Sequence, residues 1–270
     1  MRIAIAGGDL RMQTVYELFA RSGCVCEKHA QSLGEKFSSD TLKNADAVIL
    51  PLPCCKGGYL FAPMSDLYIS IGDVFASGGE STLFFGGNMP FVDERHVDYA
   101  VCEELLLKNA LVTAEAAISL ATTESKSILI GSDVTILGYG RIGKCLSRLL
   151  IALGCNVTVA ARRRESRAEA EILGCNAVGF DCERAFSVPD IIFNTVPFTV
   201  MGEKELSLVK QNPLLIDLAS GAGGIDASAA ERAGIKYIHA LALPGKYAPE
   251  TAGKIIFDTV FALLAERGMM

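Results

Sequence analysis

Among the nine cysteines (24, 26, 54, 55, 102, 145, 155, 175 and 182) no C-x-x-C pair occurs, and only three histidines accompany them. Zinc or iron–sulfur ligation therefore has no spacing to support it, and no metal site is expected. Long hydrophobic runs are missing as well. Asp133 and Asp190 interrupt the two most apolar regions, so no stretch of 18 apolar residues is free of charge and no membrane span is expected. There is no basic excess: 25 Lys and Arg stand against 31 Asp and Glu, and a net charge of −6 disfavours non-specific nucleic-acid binding. No signal-peptide layout precedes MRIAIAGG, which reads as a strand entering a glycine turn. With no disulfide spacing either, the thiols read as small buried hydrophobes in a reducing cytoplasm.

What is present is a hydrophobic half of the 270 residues and 21% charge, enough to bury a core and to exclude intrinsic disorder. Short apolar runs alternate with helical patterns throughout. That alternation predicts an α/β protein of two Rossmann-like parallel-sheet domains with an interdomain cleft. Arg2–Ala6, Ala47–Leu50, Thr82–Phe85 and His96–Val101 are the expected strands of the first half. Residues 103–125 read as a bridging helix. Asp133–Leu137, Val157–Ala160, Asp190–Asn194, Leu214–Leu218 and Lys236–His239 are the expected strands of the second. The domains are placed at 1–125 for substrate binding, 126–248 for a dinucleotide, and 249–270 as a closing helix that packs back on the first.

Gly138-Tyr139-Gly140-Arg141-Ile142-Gly143 is a G-x-G-x-x-G motif in its meaningful setting. A strand precedes it, and a helix with apolar residues at Ile142, Cys145, Leu146, Leu149, Leu150 and Leu153 follows. The glycines allow the tight turn, the close approach of a pyrophosphate and the helix–strand contact, and the helix N-terminus offers free N–H groups. The next strand ends Ala160-Ala161-Arg162-Arg163-Arg164, where an NAD site would carry an acidic residue. Arg162 and Arg163 suit a 2′-phosphate, so NADP is expected over NAD. Asn194-Thr195-Val196-Pro197 and Asp217 with Ala219 close the following strands, on the edge where ligands sit.

In the first half, Gly8, Asp9 and Arg11 lack a third glycine and form either a carboxylate site or a salt-bridged turn. Lys56 and Gly87 lie in loops at the same expected edge. Together these loops would make one wall of the cleft, for a small-molecule substrate.

Specific blocks then carry a resemblance to the family of the dipicolinate synthase A subunit. They are Gly7-Gly8-Asp9-x-Arg11, Asn109–Ile118 with Thr113, Ala160-Ala161-Arg162, Asn194–Pro197, Asp217–Ser220 with Gly223–Asp226, and Leu243–Gly253. The resemblance implies oxidation of a (hydroxy)tetrahydrodipicolinate or dihydrodipicolinate to dipicolinate with NAD(P)⁺ during sporulation, in the mother-cell cytoplasm. It also implies a partner, the flavoprotein-like B subunit of dipicolinate synthase; a homo-oligomer is the expected assembly. Thr113 joins the substrate contacts, and Lys246 and Glu115 are the candidate acid/base groups. The alternatives are a D-2-hydroxyacid or alanine-dehydrogenase-like enzyme and a catalytically silent, NADP-binding regulatory protein. The first needs an arginine after Asp217-Leu218-Ala219-Ser220 and a late histidine where Pro244-Gly245-Lys246 stands; neither is present.

Overall fold

Alternating strand and helix patterns build two parallel sheets in the computed structural model, which describes residues 1–35 and 37–270. Two compact units result: Met1–Asn109 with Pro244–Met270, and Ala110–Leu243.

In the first unit the strands are β1 (Arg2–Ala6), β2 (Val25–His29), β3 (Ala47–Ile49), β6 (Leu83–Gly86) and β7 (His96–Asp98). A small hairpin, β4 (Cys55–Lys56) and β5 (Tyr59–Leu60), is inserted between β3 and β6. The order β2-β1-β3-β6-β7 is parallel throughout, with its reversal between β1 and β3. Helix α1 (Leu10–Arg21) follows β1 and buries Met12, Val15 and Phe19; its N-cap Asp9 accepts the Arg11 amide. Short helices α2 (Ser39–Lys43) and α3 (Ile71–Ala76) complete this part.

His29 at the end of β2 is 3% exposed, and neither ring nitrogen has a hydrogen-bond partner among the described residues. Burial pushes its pKa below the ordinary 6.5, against the pull of Glu27 and Glu35. The folded chain thus keeps the ring neutral, whereas the unfolded chain takes up a proton below that pH. Stability of the first unit should fall as the pH drops below 6.5 and level off only beneath the folded pKa. Thermal unfolding between about pH 7.5 and 5 checks this. His29→Phe should flatten the slope; an unchanged slope would assign it to other groups.

Helix α4 (Glu103–Glu124) starts in the first unit and ends in the second. By length and composition it could cross a membrane. Its Ala114, Ala116, Ala117, Leu120 and Ala121 are instead buried with Val134 and Ile136 in the core of the second unit. For this reason the division falls between Asn109 and Ala110, rather than after residue 125 as the sequence suggested. The second division, between Leu243 and Pro244, also precedes the expected residue 248.

The second unit holds β8 (Asp133–Leu137), α5 (Arg141–Ala152), β9 (Asn156–Ala160), α6 (Arg164–Ile172), β10 (Asn176–Val178) and α7 (Arg184–Ser187). It continues with β11 (Ile191–Asn194), α8 (Glu203–Ser207), β12 (Leu214–Asp217), α9 (Ala227–Arg232) and β13 (Tyr237–His239). The all-parallel order β10-β9-β8-β11-β12-β13 reverses between β8 and β11, the arrangement of a dinucleotide-binding sheet.

The chain returns through α10 (Leu243–Tyr247) to α11 (Pro249–Glu266), which packs on α1 within the first unit. Phe19 and Phe257 meet edge to face at 4.7 Å. A side chain at Gly253 would lie 2.4 Å from the Arg11 carbonyl, so only glycine lets the two helices approach this closely.

Candidate functional site

The crevice at the carboxyl ends of β8, β9 and β11 holds a cavity of about 450 Å³. Gly138 sits at φ +97°, a left-handed conformation, and a Cβ there would lie 2.5 Å from Thr195 Oγ1. A Cβ at Gly143 would lie 2.4 Å from the Gly138 carbonyl oxygen. Packing alone thus requires the first and third glycines. Gly140 differs: among the described residues nothing lies within 4 Å of a Cβ placed there, and its backbone (φ −87°) suits any residue. Gly140 is also the N-cap of α5 and, having no side chain, gives the first-turn N–H groups beside the cavity no side-chain cap.

These three environments separate fold from binding. Gly143→Ala should destabilise the second unit by about 1–3 kcal/mol, since the carbonyl it strikes belongs to the backbone. Gly140→Ala should leave the melting temperature unchanged and weaken dinucleotide binding. Melting curves beside a cofactor titration measure both; equal melting losses would reject the distinction.

Of the residues singled out in the sequence, Gly138, Tyr139, Gly140, Ala161, Arg162, Arg163, Thr195, Val196 and Pro197 line the cavity. Arg141, Ile142 and Gly143 form the first turn of α5 beside it. Arg162 and Arg163 are exposed, and among the described residues neither forms an ion pair. Arg167 plays another part, since its Nη1 donates to the Ala161 and Arg162 carbonyls at 2.8 and 2.9 Å and so fixes the turn after β9.

Asn194, Asp217 and Ala219 lie behind the wall and do not line the cavity. Asn194 and Asp217 are fully buried. Asp217 Oδ1 accepts from Asn194 Nδ2 at 2.7 Å and the Ala219 amide at 3.0 Å. Its Oδ2 accepts from the Gly224 and Ile225 amides at 2.7 and 3.0 Å. Asn194 in turn holds the Val196 amide and carbonyl, each at 3.0 Å. The geometry makes this pair a clamp joining the loops after β11 and β12.

In the first unit, Arg11 is 7% exposed and pairs with Asp9 through Nε at 2.8 Å and Nη2 at 2.9 Å; Nη2 also donates to the Leu52 carbonyl at 2.7 Å. The salt-bridged turn is therefore formed. The Gly7 and Gly8 amides donate to the His29 and Phe61 carbonyls, and the Gly87 amide donates to that of Pro51. A Cβ at Gly7 would strike Leu60, so the inserted hairpin fills the crevice between β1 and β3, where a nucleotide would otherwise sit. Gly245 lies against this ion pair, its ideal Cβ 2.7 Å from Asp9 Oδ2, which brings the turn bearing Lys246 to Asp9 and Arg11. Lys246 and Lys56 are exposed and without ion pairs among the described residues. Glu115 is exposed and Thr113 buried on α4, in the second unit.

The profile of the N-terminal domain of the dipicolinate synthase A subunit matches residues 2–92. That of the D-isomer specific 2-hydroxyacid dehydrogenase NAD binding domain matches residues 107–230. The dipicolinate synthase A subunit of Bacillus subtilis (strain 168) is 36% identical, the match covering 98% of this chain and 96% of that protein. The chain belongs to the family of the dipicolinate synthase A subunit. Two crystal structures of that name agree in fold. The Bacillus subtilis one has a TM-score of 0.84 at 27% identity, covering 98% of this chain and 96% of the other. The Bacillus halodurans one has a TM-score of 0.87 at 24% identity, covering 98% and 97%.

As a member of this family with a dehydrogenase nucleotide-binding domain, the protein is an NAD(P)-dependent oxidoreductase. The cavity residues fit a nicotinamide dinucleotide, because a Cβ at Gly140 would meet nothing within 4 Å among the described residues and the N-cap of α5 has no side chain to stand between its first turn and a diphosphate. Three cavity residues escaped the sequence reading. Phe198 directly follows the Val196-Pro197 turn, and its position at a strand end was the available signal. Ser166 is buried in the first turn of α6, where the arginines read only as a solvated basic helix start, and Phe180 follows β10, a strand the sequence pattern does not mark.

Proposed function

We propose that the chain is the NADP-preferring dehydrogenase component of a dipicolinate synthase, acting in the cytoplasm with a flavoprotein-like B subunit during sporulation. Its substrate is a hydroxytetrahydrodipicolinate, which loses water, or the dihydrodipicolinate that this loss leaves. The identity to the Bacillus subtilis protein over nearly the whole of both chains supports the reaction. The observation that carries the cofactor preference is the end of β9, where two exposed arginines without carboxylate partners among the described residues line the cavity.

Gly138, Gly140 and the first turn of α5 hold the pyrophosphate, Arg162 and Arg163 the 2′-phosphate, and Thr195–Pro197 the wall beside the ribose. A nicotinamide held there would supply the acceptor for one hydride from a ring carbon. A neighbouring carbon then loses a proton, and aromaticity drives the step, so the chain must chiefly orient the ring, hold two carboxylates and supply a base. Lys246 and Lys56 are the accessible cations for the carboxylates. Lys246, ahead of Glu115, is the acid/base candidate.

Purified chain, given the hydroxytetrahydrodipicolinate mixture and NADP⁺, should produce NADPH absorbance and a pyridine product in equal amounts. Cofactor binding without turnover, even in the presence of the B subunit, would overturn the enzymatic reading.

A further inference from the structure

Phe198 is 47% exposed at the cavity mouth and touches no other aromatic ring among the described residues. The guanidinium of Arg162 lies over its face, 5.0 Å from the ring centroid. Both backbones are anchored. The Phe198 loop is held by Thr195 Oγ1 on the Leu137 carbonyl at 2.9 Å, and by the Val200 and Met201 amides on the Gly224 carbonyl at 2.9 and 3.2 Å. A Cβ at Gly224 would lie 2.8 Å from the Phe198 carbonyl oxygen, so the loop rests directly on that glycine. The turn bearing Arg162 is pinned by Arg167. An exposed apolar ring gains nothing from water, and an exposed arginine samples many rotamers; here each limits the other.

We propose that Phe198 is a positioning residue that sets the preference for a 2′-phosphate by holding the Arg162 guanidinium ready at the ribose edge. This rests on the reading of the cavity as an NADP site. An arginine already fixed over a ring loses less rotamer freedom on capturing an anion, and the gain applies only to a ligand carrying that anion. Phe198 thus acts on NADP⁺ and not on NAD⁺.

The test is a fluorescence or calorimetric titration with NADP⁺, NAD⁺, 2′,5′-ADP and AMP. It compares wild type, Phe198→Leu, Phe198→Tyr, Arg162→Gln and the Phe198→Leu/Arg162→Gln double variant. Phe198→Leu should weaken NADP⁺ and 2′,5′-ADP about 2- to 5-fold, the strength of an exposed cation–π contact, and leave NAD⁺ and AMP unchanged. Phe198→Tyr should restore the wild-type ratio, and Phe198→Leu should add nothing on the Arg162→Gln background. Equal weakening of both cofactors would overturn the proposal by making Phe198 a platform for the adenine they share; no change would overturn it too. A wild type that binds NADP⁺ no better than NAD⁺ defeats the underlying NADP reading. A selective wild type with an indifferent Phe198→Leu defeats only the role of Phe198.

Discussion

Replacing Asp217 with asparagine should cost the second unit about 3–6 kcal/mol, a large share of the stability of a domain. The carboxylate is fully buried and receives four N–H donors, two on each oxygen. An asparagine has one acceptor oxygen and one NH₂ group. Whichever way the amide turns, two donors face another donor, and the hydrogen bonds lost are of the stronger kind, made to a charged acceptor. Because Asp217 holds Asn194, and Asn194 holds Val196, the damage should spread to the wall of the cavity. Urea unfolding followed by circular dichroism, with a cofactor titration at low denaturant, should show both losses together. A variant with an unchanged midpoint and intact binding would mean that the clamp is dispensable.

Arg162→Glu should weaken NADP⁺ about 100-fold and leave NAD⁺ within a few-fold. The change removes a charge-assisted donor from the 2′-phosphate and puts an anion in its place. A carboxylate there can instead accept from the 2′-hydroxyl of NAD⁺. Arg162 is exposed and has no ion-pair partner among the described residues, so folding should be untouched. Titration of the two cofactors against the same preparation gives the ratio directly. Equal weakening of both would reject the 2′-phosphate role and leave the arginine as a general contributor of positive charge.

The strand–glycine–helix unit from Asp133 to Ala152 was legible because its signals are local: five strand residues, three spaced glycines and a helix with one apolar face. The same holds for β1 and for the closing helix, whose proline start survives as Pro249 at its first turn. Val25–His29 was not legible. It lies at the edge of its sheet with Val25, Glu27 and their neighbours largely outside the core, and it lacks the apolar run that marks a buried strand. Asn176–Val178 escaped for the same reason, and without it Phe180 had no place at the cavity. The stretch from Pro51 to Gly58, dense with proline and glycine, reads as excluding regular structure, and the Cys55–Leu60 hairpin corrects that reading.

Residue types and their spacing were enough to determine that this chain carries one dinucleotide-type βαβ unit, ends in a helix and bears arginines where an acidic residue would select NAD. Local chemistry of that kind needs no partner distant in sequence. Only the tertiary structure decided that Asn194 and Asp217, 23 residues apart, bind each other. It also decided that Asp9 takes up Arg11, and that the alanine face of α4 belongs to the second core. In each case a buried polar or apolar group had to find its complement. Which complement was within reach depended on the order of strands in the sheet, a property that no short window of sequence contains.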